Sequence, residues 1–248
     1  MTYVDGFVLA VPAAEKEAFI RHARTIDPIF LEHGATRVVE CWQDNVAKGK
    51  VNDFFGAVDA REDEMVAFSF IEWPDKDTRV TQMAKIEGLM KADERMDPEK
   101  NPIPFDGKRM IWGGFEPIVE LGAPRAGSYI QAFIVPVPEA RKEDYRKMAA
   151  DAWDMFRKYG ATRVVEAYGD DVPEGKVTDF YRAAHAKPGE KIVFSYMEWP
   201  SREVCDEAAG KMQSDPDMKM PEGMEMPFDG MRMVWGGFVP VVELGEPR

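Results

Sequence analysis

Five carboxylates fall in strand-like stretches of this chain: Asp5, Glu40, Glu72, Glu166 and Glu198. A carboxyl withdrawn from water is harder to ionise and can hold or take a proton near neutrality, which is the work of a general acid or base. Glu40, Glu72, Glu166 and Glu198 are the candidates for that role. Large aromatics share their stretches. Trp42, Trp112, Tyr168 and Trp235, together with Asp5, are candidates to line a pocket for a small planar ligand. Each group has a plainer alternative. The acids can pair with Arg37, Arg109, Arg163 or Arg232 at strand ends, and the aromatics can be core or interface anchors.

Other chemistry is sparse. His22, His33 and His185 have no second histidine or cysteine at metal-ligand spacing, so neither a haem nor a zinc site is expected. A methionine group comprising Met212, Met218, Met220, Met224, Met226, Met231 and Met233 could attract a soft metal, but methionine is more often a flexible filler. Residues 216–227 in that group read as a partly apolar loop over a barrel mouth. There is no phosphate-cradling glycine loop, nucleophile elbow or Cys-x-x-Cys, and no cofactor is expected. Cys41 and Cys205 read as free thiols.

The elements that must position these residues occur twice. Gly-Ala-Thr-Arg-Val-Val-Glu at 34–40 recurs letter for letter at 160–166, and Phe-Asp-Gly-x-Arg-Met-x-Trp-Gly-Gly-Phe at 105–115 recurs at 228–238. Glu-Trp-Pro at 72–74 recurs at 198–200, and Glu-Leu-Gly-x-Pro-Arg at 120–125 recurs at 243–248. So long a period means two domains, 1–122 and 127–248, joined by a short Gly/Pro-rich linker. Within the first copy, alternation predicts strands at 3–11, 36–42, 66–73 and 108–119. Helical spacing predicts helices at 14–33 and 75–91, with an irregular or helical finish to 51–60. That order is the split βαβ plan, with both helices on one face of an antiparallel sheet. The set Val4, Gly6, Val8 and Ala10 is small and suits packing under the helices. The aromatic-plus-acid set Tyr3, Asp5, Phe7 and Leu9 is therefore expected on the opposite face, with Glu40, Trp42, Phe68, Phe70 and Glu72. In the second copy the same face would carry Tyr129, Phe133, Glu166, Tyr168, Phe194 and Glu198. An exposed aromatic sheet needs a partner, and each copy can serve the other.

The formal charge of −13 opposes binding to nucleic acid or anionic lipid. The chain shows no membrane-span-length apolar run and starts with neither a basic stretch nor an apolar signal core, so a cytoplasmic protein is expected.

Tyr-Val-Asp-Gly-Phe-Val at the start, Gly-Ala-Thr-Arg-Val-Val-Glu, Gly-Lys-Val-x-Asp-Phe, Phe-Ser-x-x-Glu-Trp-Pro and Pro-Phe-Asp-Gly-x-Arg-Met-x-x-Gly-Gly-Phe together resemble the DUF1428 (YbaA-like) family. The resemblance covers nearly all of each copy. It implies a dimeric α/β barrel, in which two ferredoxin-like protomers pair their sheets, and hence a covalently fused dimer here. It supplies no catalytic residues, because fold analogy does not transfer chemistry. The expectation is an α+β chain of two ferredoxin-like (βαββαβ) domains packed sheet to sheet as an intramolecular dimeric α/β barrel. It would be a monomeric pseudo-dimer, open to further association, that binds an unidentified small molecule and acts on it without a cofactor. The alternative is a non-catalytic protein-interaction or ligand-sensing module with a filled barrel.

Overall fold

The computed structural model describes residues 2–89, 92–215 and 225–245. The first copy contains β1 (Tyr3–Pro12), α1 (Lys16–Ile26), α2 (Pro28–Glu32), β2 (Arg37–Asn45), α3 (Phe54–Ala57), β3 (Glu64–Trp73), α4 (Lys76–Leu89) and β4 (Ile111–Gly122). The second contains β5 (Tyr129–Pro138), α5 (Lys142–Lys158), β6 (Arg163–Asp171), α6 (Phe180–Ala183), β7 (Glu190–Trp199), α7 (Arg202–Ser214) and β8 (Val234–Gly245). The expected first helix is broken in two at Asp27–Pro28, because proline has no N–H to continue the ladder. Its counterpart α5 runs unbroken. No helix among the described residues is long and apolar enough to cross a membrane.

The strands form one closed barrel in the order β1-β3-β2-β8-β5-β7-β6-β4. Each copy supplies four neighbouring strands, and the copies join edge to edge through β2–β8 and β4–β6, both antiparallel. The contact expected face to face is therefore also a continuous hydrogen-bonded seam at both edges, which leaves no strand edge open.

Rings from both copies fill the barrel. Phe68 stacks on Phe194 at 4.6 Å between centroids, and Phe70 on Tyr196 at 4.2 Å. Val4, Val8, Ala10, Val39 and Cys41 pack among them. At one mouth, α3 and α6 insert Phe54 and Phe180, each helix capped by its preceding aspartate, Asp53 or Asp179.

This filling corrects the expected faces. Residues directly opposite on paired strands share a face, and Val4, Gly6 and Val8 lie opposite Glu72, Phe70 and Phe68. The small set of β1 therefore points into the barrel, where stacked rings leave room for little else. A Cβ on Gly6 would fall 2.6 Å from the Phe194 ring. Tyr3, Phe7 and Leu9 lie under the helices instead. The same register puts Arg37, Val39 and Cys41 inside, and turns Val38, Glu40 and Trp42 to the helix side.

Candidate functional site

The face correction divides the candidate acids. Glu72 and Glu198 stay at the barrel axis, at the mouth opposite α3 and α6, where they join a buried ion network across the copies. Arg37 donates to Glu198 at 2.6 Å and Arg163 to Glu72 at 2.7 Å. Glu243 and Glu120 also pair with Arg37 and Arg163, Arg163 bonds Glu198 as well at 3.2 Å, and the Tyr196 hydroxyl donates to Glu72 at 2.8 Å. These two acids are committed to holding the halves together, and the network closes the mouth.

Asp5 lies under α4 and accepts from Trp73 Nε1 at 2.8 Å and Arg79 Nε at 2.9 Å. Gln131 takes its place in the second copy and bonds Trp199, and Cys205 stands where Arg79 would be. The carboxylate and its arginine thus change together. Trp112 and Trp235 are exposed on the outer wall; both were expected to line an inner pocket. A closed barrel turns the residue after an inward Ile111 or Val234 out to solvent.

Among the described residues, Glu40 and Glu166 have no arginine partner. Each lies on the helix-facing side of its strand, half-buried and beside the expected pocket aromatic, Trp42 or Tyr168. Each also sits at a register shift. Glu40 is opposite Val242 and Cys41 opposite Pro240, so Val241 is extra; Val119 is opposite Glu166 and Pro117 opposite Ala167, so Ile118 is extra. The prolines cannot donate to the ladder, and bulges form at such points. Val241 and Ile118 pack against the aromatic clusters of Trp42 and Tyr168. The last strand of each copy thus packs into the other copy's helix-side aromatic cluster.

In the first copy, Ser69 Oγ donates to Glu40 Oε2. Burial pushes the Glu40 carboxyl up to about 7, against the opposing Ser69 bond. Asp27, at the break between α1 and α2, is only 4% exposed. Among the described residues its Oδ2 has no hydrogen-bond partner, and its side chain does not cap α2. Burial first, and the charge of Glu40 second, raise it to about 9. Lys16 Nζ sits 5.3 Å from the Trp42 ring centroid, and His22, its pKa lowered by burial, contacts Asn101. In the second copy, Tyr145 Oη donates to Glu166 Oε2 at 2.7 Å. Burial raises Glu166 to about 7, against bonds from Tyr145 and Ser195. Trp153 replaces Asp27 and Tyr145 replaces Phe19.

The arrangement presents one carboxyl per copy that can exchange a proton near neutral pH. The sequence reading missed Asp27, Ser69, Tyr145 and Ser195. Two signals were available: an Asp-Pro step inside a helical pattern, and a serine between large inward residues in both Phe-Ser-x-x-Glu-Trp-Pro motifs. Among the described residues, no three His, Cys, Asp or Glu side chains converge as metal ligands. Residues 216–224 of the expected methionine-rich loop lie outside the described residues; Met226 and Met231 are exposed, and Met233 packs beside Tyr145 and Tyr168.

Residues 2–107 and 128–230 each match the family described as "Protein of unknown function (DUF1428)", and the chain belongs to that family. The uncharacterized protein YbaA of Escherichia coli K12 is 50% identical over 115 residues, which are 46% of this chain and 97% of YbaA. Among solved structures, a proposed monooxygenase from Lactobacillus acidophilus superposes with a TM-score of 0.59 at 13% identity, covering 98% of this chain and 96% of the other. An anthrone oxidase-like protein gives 0.54 at 11% identity, covering 98% and 92%. At these identities the likeness is one of fold.

Proposed function

We propose that this is a cytoplasmic protein that binds a small organic molecule outside the barrel wall, in one pocket per copy, and moves a proton on it through Glu40 or Glu166. The halves, 1–122 and 127–248, are ferredoxin-like units acting as an intramolecular dimer. The observation that carries the reading is the contrast between the two kinds of carboxylate. Glu72 and Glu198 are locked to arginines, whereas Glu40 and Glu166 keep partial access to solvent and lie close to neutrality. A base of that strength can deprotonate a phenol or an activated C–H, a first step open to oxidations that use no cofactor. The family resemblance and the fold of the oxidase-like neighbours are consistent with such a step and do not identify it.

The packed interior favours a second reading, a non-catalytic interaction or sensing module. A thermal-shift screen against a broad metabolite library separates the two. The first reading expects at least one ligand to raise the melting temperature of the wild type, with the shift lost in Glu40→Gln or Glu166→Gln. A library without a single stabilising ligand supports the module.

A further inference from the structure

The surroundings of Glu40 and Glu166 differ chemically. Resting on the pocket reading above, we infer that the first copy's pocket is a receptor for an organic ammonium ion, held between Asp27 and Glu40 against the Trp42–Phe19 wall.

The protein's treatment of its other buried acids is the starting point. Asp5 pairs with Arg79, Glu64 with Arg109, Glu72 with Arg163, Asp179 with Arg182 and Glu198 with Arg37. Burying a carboxylate is costly unless it is paired, and the chain meets that cost with a guanidinium at these five, while Glu166 accepts from Tyr145 and Ser195 instead. Asp27 and Glu40 break the pattern: among the described residues neither makes an ion pair. The groups facing them do not supply the missing charge. Ser69 is a neutral donor to Glu40, His22 faces Asn101, and Lys16 lies over Trp42. Asp27 Oδ2 is left buried and unpartnered, although an aspartate before a helical proline would ordinarily cap the next turn.

An ammonium ligand satisfies both acids. Its N–H groups donate to Asp27 Oδ2 and to Glu40, and any proton held by the pair leaves to solvent. Phe19 and Trp42 lie 5.9 Å apart, with Phe105 6.4 Å from Phe19, and ring faces attract cations. Lys16 over Trp42 already makes such a contact. The second copy lacks the acid pair. Trp153 replaces Asp27, Tyr145 occupies Glu166, and two lysines, Lys142 and Lys191, flank Tyr168.

The test is isothermal titration of the full chain with phenethylammonium, its neutral isostere 2-phenylethanol and the anion phenylacetate. We expect phenethylammonium to bind at one site per chain, at least tenfold more tightly than either comparator. Asp27→Asn should erase that preference, as should Glu40→Gln, a second variant should the first not fold. Removal of an exposed acid in Glu62→Gln should preserve it. Equal or tighter binding of 2-phenylethanol overturns the charge assignment and leaves the pocket reading standing. Preference surviving both variants, or two equivalent sites, places the ammonium elsewhere and overturns the inference. Binding of none of the three overturns it as well, and the library screen then decides the pocket reading on its own.

Discussion

Asp27 is the residue at which stability and function pull apart. Its folded-state pKa of about 9 lies above the ordinary aspartate value, so across the window between them the native state holds a proton that the unfolded chain has released. The associated stability is complete below the ordinary aspartate range and is lost as pH rises towards 9. Glu40 adds a smaller contribution of the same sign, lost as pH rises towards about 7. Asp27→Asn should therefore unfold at higher urea than the wild type at pH 9, by on the order of 1–3 kcal/mol, with the difference shrinking towards pH 5. A variant less stable than the wild type at pH 9 would mean that Asp27 has an ionic partner. At this scale the sequence was partly legible. Residue type and repetition singled out Glu40, Trp42, Glu166 and Tyr168, but expected them between the sheets and not on the helix side where they lie. Asp27 was hidden, because a helical pattern with one polar interruption resembles an ordinary amphipathic helix.

At the scale of elements, strand existence was clear from alternation, and strand facing was not. Side-chain facing in β1 depends on what its neighbours present, and register fixes that only once the strands are paired. The ring stack from β3 and β7 leaves β1 just enough depth for a hydrogen at Gly6. Gly6→Ala should cost about 1–3 kcal/mol, read as a lower urea midpoint at unchanged denaturant slope. A neutral effect would mean that the interior is looser than its stacking geometry implies. The bulges were signalled by Pro117 and Pro240 in otherwise strand-like segments. They bring Val241 and Ile118 against the aromatics beside Glu40 and Glu166.

Across the whole molecule, the repeat announced two like copies, and the closed barrel they form was what the family resemblance implied. The ion network shows how they are fastened: Arg37 reaches Glu198 and Arg163 reaches Glu72, each from the opposite copy. Breaking one such buried pair with Arg163→Met leaves Glu72, among the described residues, with only the Tyr196 hydroxyl and Arg37 at 3.6 Å, and should cost about 3 kcal/mol. Thermal unfolding should shift down accordingly; an unchanged melting temperature would remove the network from the forces joining the halves. YbaA, which matches this chain over about one copy, has the sequence for half a barrel. The first copy expressed alone would leave the β2 and β4 edges unpaired and should elute as a homodimer by light scattering; a stable monomer would show that the seam is dispensable.

Under the proposed function the working carboxyls are Glu40 and Glu166, outside the barrel wall and not at its axis. Carbon-13 carboxyl titration of the full chain, with Glu40→Gln and Glu166→Gln to assign the resonances, tests that assignment. Both resonances should titrate near neutrality. Midpoints for both in the ordinary glutamate range would contradict it.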